Sequence, residues 1–513
     1  MTSPIPARTI PGFGGQILAP GTAEYDASRV QYAFSSYPEK QGPGGSMHPY
    51  LIAYPRMDSD DIPAAISFGK ANGKHLVARS GGHQYCGLSS GGEDTVLLSM
   101  DLHQDLEVKE VGDKTLARVG VGRRLTDVAA AFKQNGVTIP HGECPRVAIG
   151  GHVQSGGYGH LLRSYGLALD HVHEFKIYTS DGTIRTVQRP PAQDRSSLFW
   201  GVLGGGPGSF GILTEVTFEC LRDADHPYSL GYQGFFVYEK ALFRRAVDEV
   251  KAWTEKVVSG DPAFPQDVDM EISLIADTFS GKPVIVVELV HGNRDGRNDQ
   301  GHSAQFLEQT LRNITGGASG IPDLGYQGNR PLSFMADAFV RRRDFTEDGR
   351  EFPEPYKKRL NCTKRPLRTD FVDEFVDLTD RVVNSGTVKL VIQMLIGGGA
   401  YASPKVTPPL TSICHRDMTA GIVFDCFYTS NGLQDAERFQ AEMQGLLGAF
   451  SCDQEVRMLW GSFGDTNIAN ENVRRCYYDD DTWSDLQKLK KEMDRGDLFR
   501  TEFTVQLPQG PVQ

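Results

Sequence analysis

A chain of 513 residues exceeds what one ordinary hydrophobic core serves, so two domains are expected. Apolar residues make up 39% and nothing is low-complexity, which excludes a disordered or fibrous chain. The formal net charge of −12, with no basic run longer than Arg341-Arg342-Arg343, argues against nucleic acid or an anionic membrane as partner. No stretch approaches the roughly 20 apolar residues of a membrane span.

The first residues, MTSPIPARTIPGFGG, lack the apolar run of a secretory leader. The chain as given therefore reads as cytoplasmic, and as secreted if its N-terminus is processed. Residues 50–54 read as a strand and 58–72 as a helix, with acids at its start, Pro63 early and Gly73 as its stop. A short strand over 75–78 runs into RSGGHQYCG at 79–87. Further strands are expected over 95–100 and 116–122, an amphipathic helix over 125–135, and a hairpin of 175–178 with 184–187 about Ser180-Asp181-Gly182. A strand over 212–220 completes an α+β unit spanning 48–220.

Beyond residue 222 longer alternating strands are expected at 268–274, 284–290, 389–395 and 422–428, with helices at 238–258, 302–315 and 371–384. This pattern predicts a broad antiparallel sheet covered by helices, a platform suited to one wall of a substrate pocket. A last helix over 483–494 and a tail over 498–507 are placed back against the first unit. The expected organisation is 1–222, 223–455 and a returning segment 456–513.

Three glycine-rich stretches carry the chemistry. Gly81-Gly82 at a strand end lets backbone approach a ligand and offers N–H groups to an anion. On this stretch alone, His83 is open to a chemical role or a loop-filling one. Residues 206–211 fit GxGxxG formally, but a β-like run follows and Pro207 removes an N–H, so a Rossmann turn is rejected. In HGECPRVAIGGHVQSGGYGHLLRSYGLALDH, at 141–171, glycines at 142, 150, 151, 156, 157, 159 and 166 are too many for a packed helix. They suit backbone pressed against a large ligand. The eight cysteines are scattered without CxxC, which suits buried thiols in a reducing compartment and argues against a disulfide framework. His171 and His173 are poorly spaced for a metal, and no metal is expected.

The stretches RSGGHQYCGLSS, GECPRVAIGGHVQSGGYGHLLRSYGLALDHV and SLFWGVLGGGPGSFGILTEVTF, in order and register across residues 48–220, resemble three motifs of the berberine-bridge-enzyme-like flavoproteins. These belong to the vanillyl-alcohol-oxidase or PCMH-type superfamily. The resemblance implies an α+β, two-subdomain FAD-binding domain followed by a substrate domain. It further implies FAD bonded through its 8α-methyl to His83 and through C6 to Cys144, nucleophiles suited to an electron-poor ring. The Gly81-Gly82 backbone would cradle the pyrophosphate, with Arg79, Ser80 and Gln84 also at the cofactor. Gly151, Gly156, Gly157, Gly159 and His160 would line the ring and ribityl chain, Gly211 and Ile212 the adenosine, with Tyr478 also at the cofactor. Val147 matches a position where valine accompanies oxidases, which implies O2 as acceptor. His152 matches a residue at the flavin N1–C2=O edge, where a donor stabilises the reduced ring. Cys86 has no counterpart in the family and reads as structural.

The match departs at the C-terminus. Many members abstract the substrate proton with a tyrosine in Y-x-N-Y-x-D; the counterpart, Trp460 to Asp465, places Phe463 there. The base is therefore expected elsewhere: at Tyr401, or at Gln393 or Glu271 on the platform strands. The resulting expectation is an oxidase taking hydride from a carbohydrate or secondary metabolite to flavin N5 and reducing O2 to H2O2, as a monomer or homodimer. A dehydrogenase of the same fold using another acceptor, and a non-redox cyclase keeping FAD as scaffold, are the alternatives.

Overall fold

The computed structural model describes residues 8–33, 47–85, 87–276, 282–297, 301–322, 328–341, 356–403, 408–428, 431–450, 474 and 477–508. Two small sheets form the first unit. In one, the strands Gln16–Leu18, Leu51–Tyr54, Thr95–Ser99 and His75–Arg79 lie in that order. Thr95–Ser99 is parallel to both of its neighbours and wholly buried, as a central strand covered on both faces must be. The helix Asp61–Asn72 makes the crossover and stops at Gly73, whose φ of 59° is the left-handed geometry that glycine takes readily. It begins three residues after Asp58 because the Asp61 carboxylate accepts the N–H groups of Gly14 and Arg56, at 2.7 and 2.9 Å, and so ties the preceding turn down.

The second sheet is antiparallel, ordered Leu106–Val111, Lys114–Gly120, Ile212–Glu219, Val172–Tyr178 and Ile184–Gln188. The last two form the hairpin expected about Ser180-Asp181-Gly182. Gly206 to Gly211 lead into the strand Ile212–Glu219 rather than a helix. From the far end of the chain, the helix Asp480–Met493 and the tail return to this unit. Leu76 N–H donates to the Leu498 carbonyl at 2.8 Å, and Leu498, Phe499 and Val505 enter the same core as Leu51, Leu98 and Val119.

A larger antiparallel sheet forms the second unit, ordered Ile321–Pro322, Leu230–Val237, Val284–His291, Val268–Ala276, Lys389–Ile396, Ala420–Phe427 and Tyr356–Thr363, with Gly328–Asn329 also on Leu230–Val237. Its strands alternate with period 2. Met270, Ile272 and Leu274, Ile285 and Val287, and Ile392 and Met394 meet the covering helices, which include Lys240–Ser259 and Thr369–Ser385. The opposite residues, Asp269, Glu271, Glu288 and Gln393 among them, turn toward the first unit. Among the described residues no helix is long and apolar enough to cross a membrane, and Cys144, Cys220, Cys362, Cys414 and Cys426 are free thiols.

The two units are held by a reciprocal clamp. Arg163, fully buried, donates through Nε to the Gly397 carbonyl at 2.9 Å and through Nη1 to those of Pro265 and Val268 at 3.2 and 2.5 Å, over the Phe264 ring at 3.9 Å. In return Asp269 accepts the N–H groups of Arg163 and Ser164 at 2.5 and 3.1 Å, and the Ser164 hydroxyl. Burial lowers the Arg163 pKa to about 10 and pushes Asp269 up to about 6, the latter against the pull of its donors. Both are charged near neutral pH. Arg163→Met would strand three buried carbonyls and remove a cation that favours the Asp269 carboxylate, at a cost of about 3 kcal/mol or more. The expected result is a lower urea midpoint with only partial recovery in Arg163→Lys, whose point charge lacks the planar fork; an unchanged midpoint would show the clamp to be dispensable.

Candidate active site

A cavity lies between the units, with an empty volume of about 1700 Å³ including the space at its mouth. Its floor is built from the motifs of the first unit. The strand His75–Arg79 delivers Ser80, Gly81, Gly82 and His83 to the cavity, with Gln84 following. A Cβ on Gly81 would stand 2.7 Å from the Ala148 nitrogen, so only glycine lets this turn seat on the next motif. The Ser80 hydroxyl accepts the Gly151 N–H at 3.3 Å, which joins the two glycine stretches. Arg79 also borders the cavity, but its guanidinium donates to the carbonyls of Ser28 and Arg29 and to Ser90, at 2.5, 3.4 and 3.2 Å. It braces the turn.

His83 and Cys144 reach this one cavity from separate loops. The His83 ring is flanked by Tyr32 and Tyr85, with centroids at 5.0 and 6.1 Å. Val147, Gly151, His152, Gly157, Gly159 and Gly211 line the same space. A Cβ at Gly151 or Gly208 would meet nothing within 4 Å, so bare backbone faces open volume there, as a cradle for a large flat ligand requires. Gly157 and Gly159 have no such freedom: a Cβ would approach Ala168 Cβ to 2.4 Å and the His141 carbonyl to 1.9 Å. His152 accepts the Gly142 N–H at Nε2, 3.2 Å away. Burial, with His141 nearby, lowers its pKa to about 3, so the ring is neutral and carries its proton on Nδ1.

Five of the expected site residues lie outside the cavity wall. Tyr401 is fully buried: the short helix Gly399–Ala402 turns it into the core, where its hydroxyl donates to the His415 carbonyl at 2.7 Å. It is a packing residue. Ile212 opens a strand on which Gly211 and Leu213 face the cavity, so period-2 alternation sends Ile212 into the core. His160 lies one layer back, edge-on to the Phe339 ring at 3.9 Å, and Phe339 itself forms the wall. Gly156, at φ 120°, sits against the Tyr158 ring, while Ser155 and Gly157 face the space. Tyr478 stands behind the glycine-rich loop, its hydroxyl 3.5 Å from the Gly204 carbonyl and its ring beside Trp483. Cys86 and the stretch Trp460 to Asp465, with Phe463, lie outside the described residues.

The second unit supplies the opposite wall through Glu271, Gln393 and Leu395. Gln393 Nε2 donates to Glu143, the residue before Cys144, and to Glu271 Oε1 at 3.4 Å. Residues that motif reading did not single out complete the lining. Gln154 accepts the Gly208 N–H at 3.1 Å, and the Tyr158 hydroxyl is hydrogen-bonded to His415 Nε2 at 2.7 Å, burial and the nearby Tyr401 and Tyr477 raising its phenol pKa. Arg500, Thr501, Phe503 and Thr504 close the end beside Pro207 and Gly208. These last come from the returning tail, which carries no motif.

A family model described as an FAD binding domain matches residues 49–188. The FAD-linked oxidoreductase dpmaF of Metarhizium anisopliae is 36% identical over 481 residues, covering 89% of this chain and 84% of its own length. The chitooligosaccharide oxidase of Gibberella zeae is 36% identical over 463 residues, covering 89% and 87%. Among solved structures, a chitooligosaccharide oxidase superposes with a TM-score of 0.75 at 20% identity over 96% of this chain and 98% of its own. The glucooligosaccharide oxidase of Acremonium strictum, described as carrying 6-S-cysteinyl, 8α-N1-histidyl FAD, gives 0.72 at 22% over 96% and 97%. With its glycine floor, its PCMH-type α+β architecture and relatives of this kind along most of its length, the chain belongs to the berberine-bridge-enzyme-like FAD-linked oxidoreductases.

Proposed function

We propose that the chain is a bicovalently flavinylated oxidase that converts an alcohol of a small carbohydrate or secondary metabolite to a carbonyl, with O2 as the final acceptor. The observation that carries this reading is the meeting of His83 and Cys144 in one cavity over a floor of bare glycine backbone. FAD held there would supply a two-electron acceptor for the substrate hydride, with O2 as terminal oxidant and H2O2 as the reduced product.

The protein's own contribution is binding, orientation and charge. The imidazole of His83 and the thiolate of Cys144 would hold the ring from two loops, fixing it without a lid and leaving room for a bulky substrate. The backbone at Gly151 and Gly208 would accept the flat and extended parts of the cofactor. His152, neutral and protonated at Nδ1, is a donor suited to negative charge at the ring's pyrimidine edge. Val147, a small branched side chain in the wall, leaves space for O2. The names of the relatives favour an oligosaccharide as substrate.

Intact mass and the visible spectrum of acid-denatured protein test the attachment. The wild type should be heavier by one FAD, while His83→Ala and Cys144→Ala each keep the flavin through the remaining bond, with altered spectra. Each should also lose about 10- to 100-fold in kcat through a less firmly placed ring. A colourless chain of bare mass would remove both roles.

A second test uses pH. A folded-state pKa of about 3 against 6.5 means that unfolded His152 binds a proton that the folded ring refuses. The stability at stake is intact above pH 6.5 and is lost as pH falls toward 3, by up to about 4 kcal/mol. His152→Gln should reduce the drop in urea midpoint between pH 7 and pH 4; an equal drop in both proteins would contradict burial as the cause.

A further inference from the structure

On the face of the large sheet that meets the cavity, three polar residues lie side by side on neighbouring strands. The register sets Gln233 opposite Glu288 and Glu288 opposite Glu271. Gln233, Glu288 and Glu271 are 0%, 1% and 4% exposed. Gln233 Nε2 donates to Glu288 Oε1 at 2.9 Å, and Gln393 continues the row to Glu143 beside Cys144. A carboxylate oxygen from each of Glu143, Glu271 and Glu288 lies within 4.8 Å of the others. This row leads from the sheet interior into the wall of the cofactor cavity.

We infer that Glu271 is the proton acceptor for the substrate hydroxyl, backed by Glu288 and aimed by Gln393. The inference rests on the reaction proposed above. Two carboxylates set directly opposite in a buried sheet cannot both ionise at ordinary cost, so the pair keeps one proton and one negative charge. Burial disfavours the charged form, so that remaining carboxylate is more basic than an exposed one, which suits a base working near neutral pH. Glu271 borders the cavity and Glu288 does not, so Glu271 is the member that can meet substrate.

The other cavity groups are less suited. In the proposed reaction His83 and Cys144 carry the cofactor. His152 has its Nε2 engaged and a pKa of about 3, and burial raises the pKa of the Tyr158 phenol, which is hydrogen-bonded to His415 and stays protonated. Gln393 exchanges no proton; its amide, donating to both Glu271 and Glu143, is a positioning group. In the step itself, the substrate O–H bond breaks and its proton bonds to a Glu271 oxygen. The electron pair left on oxygen closes the carbonyl as the carbon-bound hydrogen leaves as hydride to the flavin. The pair then holds two protons, and one is lost to solvent after turnover to restore the singly protonated state.

The test compares Glu271→Gln, Glu288→Gln and Glu143→Gln in the flavin-loaded protein. Unchanged intact mass and visible spectrum in all three keeps the cofactor reading separate from the base. Infrared spectroscopy of the resting protein should show the C=O stretch of a protonated carboxylic acid, shifted in D2O and absent from both Glu271→Gln and Glu288→Gln. With cello-, chito- and xylo-oligosaccharides as probes under anaerobic conditions, Glu271→Gln should slow flavin reduction by about 100-fold or more, with KM changed only a few-fold and part of the rate restored in Glu271→Asp. An acid band that is absent from the wild type or survives Glu271→Gln overturns the inference. So does a rate loss that follows Glu143→Gln instead. The infrared readout needs no substrate, so it decides the shared proton even if no probe is oxidised and the proposed reaction falls.

Discussion

The exchange of buried groups between Arg163 and Asp269 is the constraint on which the rest of the site depends. Each unit supplies only half of the cavity: glycine backbone, His83 and Cys144 from one, Glu271 and Gln393 from the other. Arg163 fixes their separation because its planar fork needs three carbonyls of the second unit at once, and a small displacement would strand a buried charge. Asp269 repeats the demand in the other direction. A second pair, Arg416 with both oxygens of Asp170 at 2.6 and 2.8 Å, anchors the stretch after Ser412 to the same glycine-dense segment. Such pairs contribute less to net stability than to a unique arrangement, which here is the alignment of two walls.

The clamp also orients the chemistry. Asp269 and Glu271 are two residues apart on one strand, so the pleat puts both on the same face. Seating Asp269 against the backbone of residues 163 and 164 therefore turns Glu271 toward the cavity without further instruction. The sheet register then brings Glu288 opposite it. A one-residue slip would send Glu271 into the apolar layer beneath the helices and Ile272 into the cavity, so a single register choice ties the core to the site.

How far all this was legible in the sequence follows from the distance over which each feature acts. The glycine stretches were legible because their meaning is local: a strand end, a turn, a backbone that must approach something. Four long strands and three helices of the second unit were legible through period, but the strands Leu230–Val237 and Tyr356–Thr363 and the helices Leu332–Arg341 and Leu433–Phe450 were not expected. Tyr401 was misplaced because nearness in the chain to a strand end says nothing about a one-turn helix whose entry, through Gly398 at φ 82° and Gly399 at φ 56°, swings the side chain inward. Ile212 was misplaced by a single step of alternation. The return of the tail to the first unit was expected, but not that Arg500 to Thr504 would line the cavity beside Pro207 and Gly208, since those residues carry no motif and lie about 290 residues further along the chain. The polar row was half visible: Glu271 and Gln393 stand out on apolar strands, but Glu288 and Gln233 acquire meaning only when strand order is known.

That row is also the clearest conflict between local rule and global structure. A sheet face packed against another unit is stabilised most by apolar side chains, yet here three adjacent strands place an amide and two carboxylates where Val or Ile would pack better. Burying such groups costs several kcal/mol even when hydrogen-bonded. A fold pays that only where the groups do something, and departures of this kind concentrate at functional sites. The glycine stretches of the floor cannot supply that chemistry, because backbone bared for close approach has no side chain to give. A flat cofactor and a proton acceptor therefore make opposite demands on the chain, bare backbone for one and a buried charge for the other. Two units facing each other across one cavity, locked by Arg163 and Asp269, meet both.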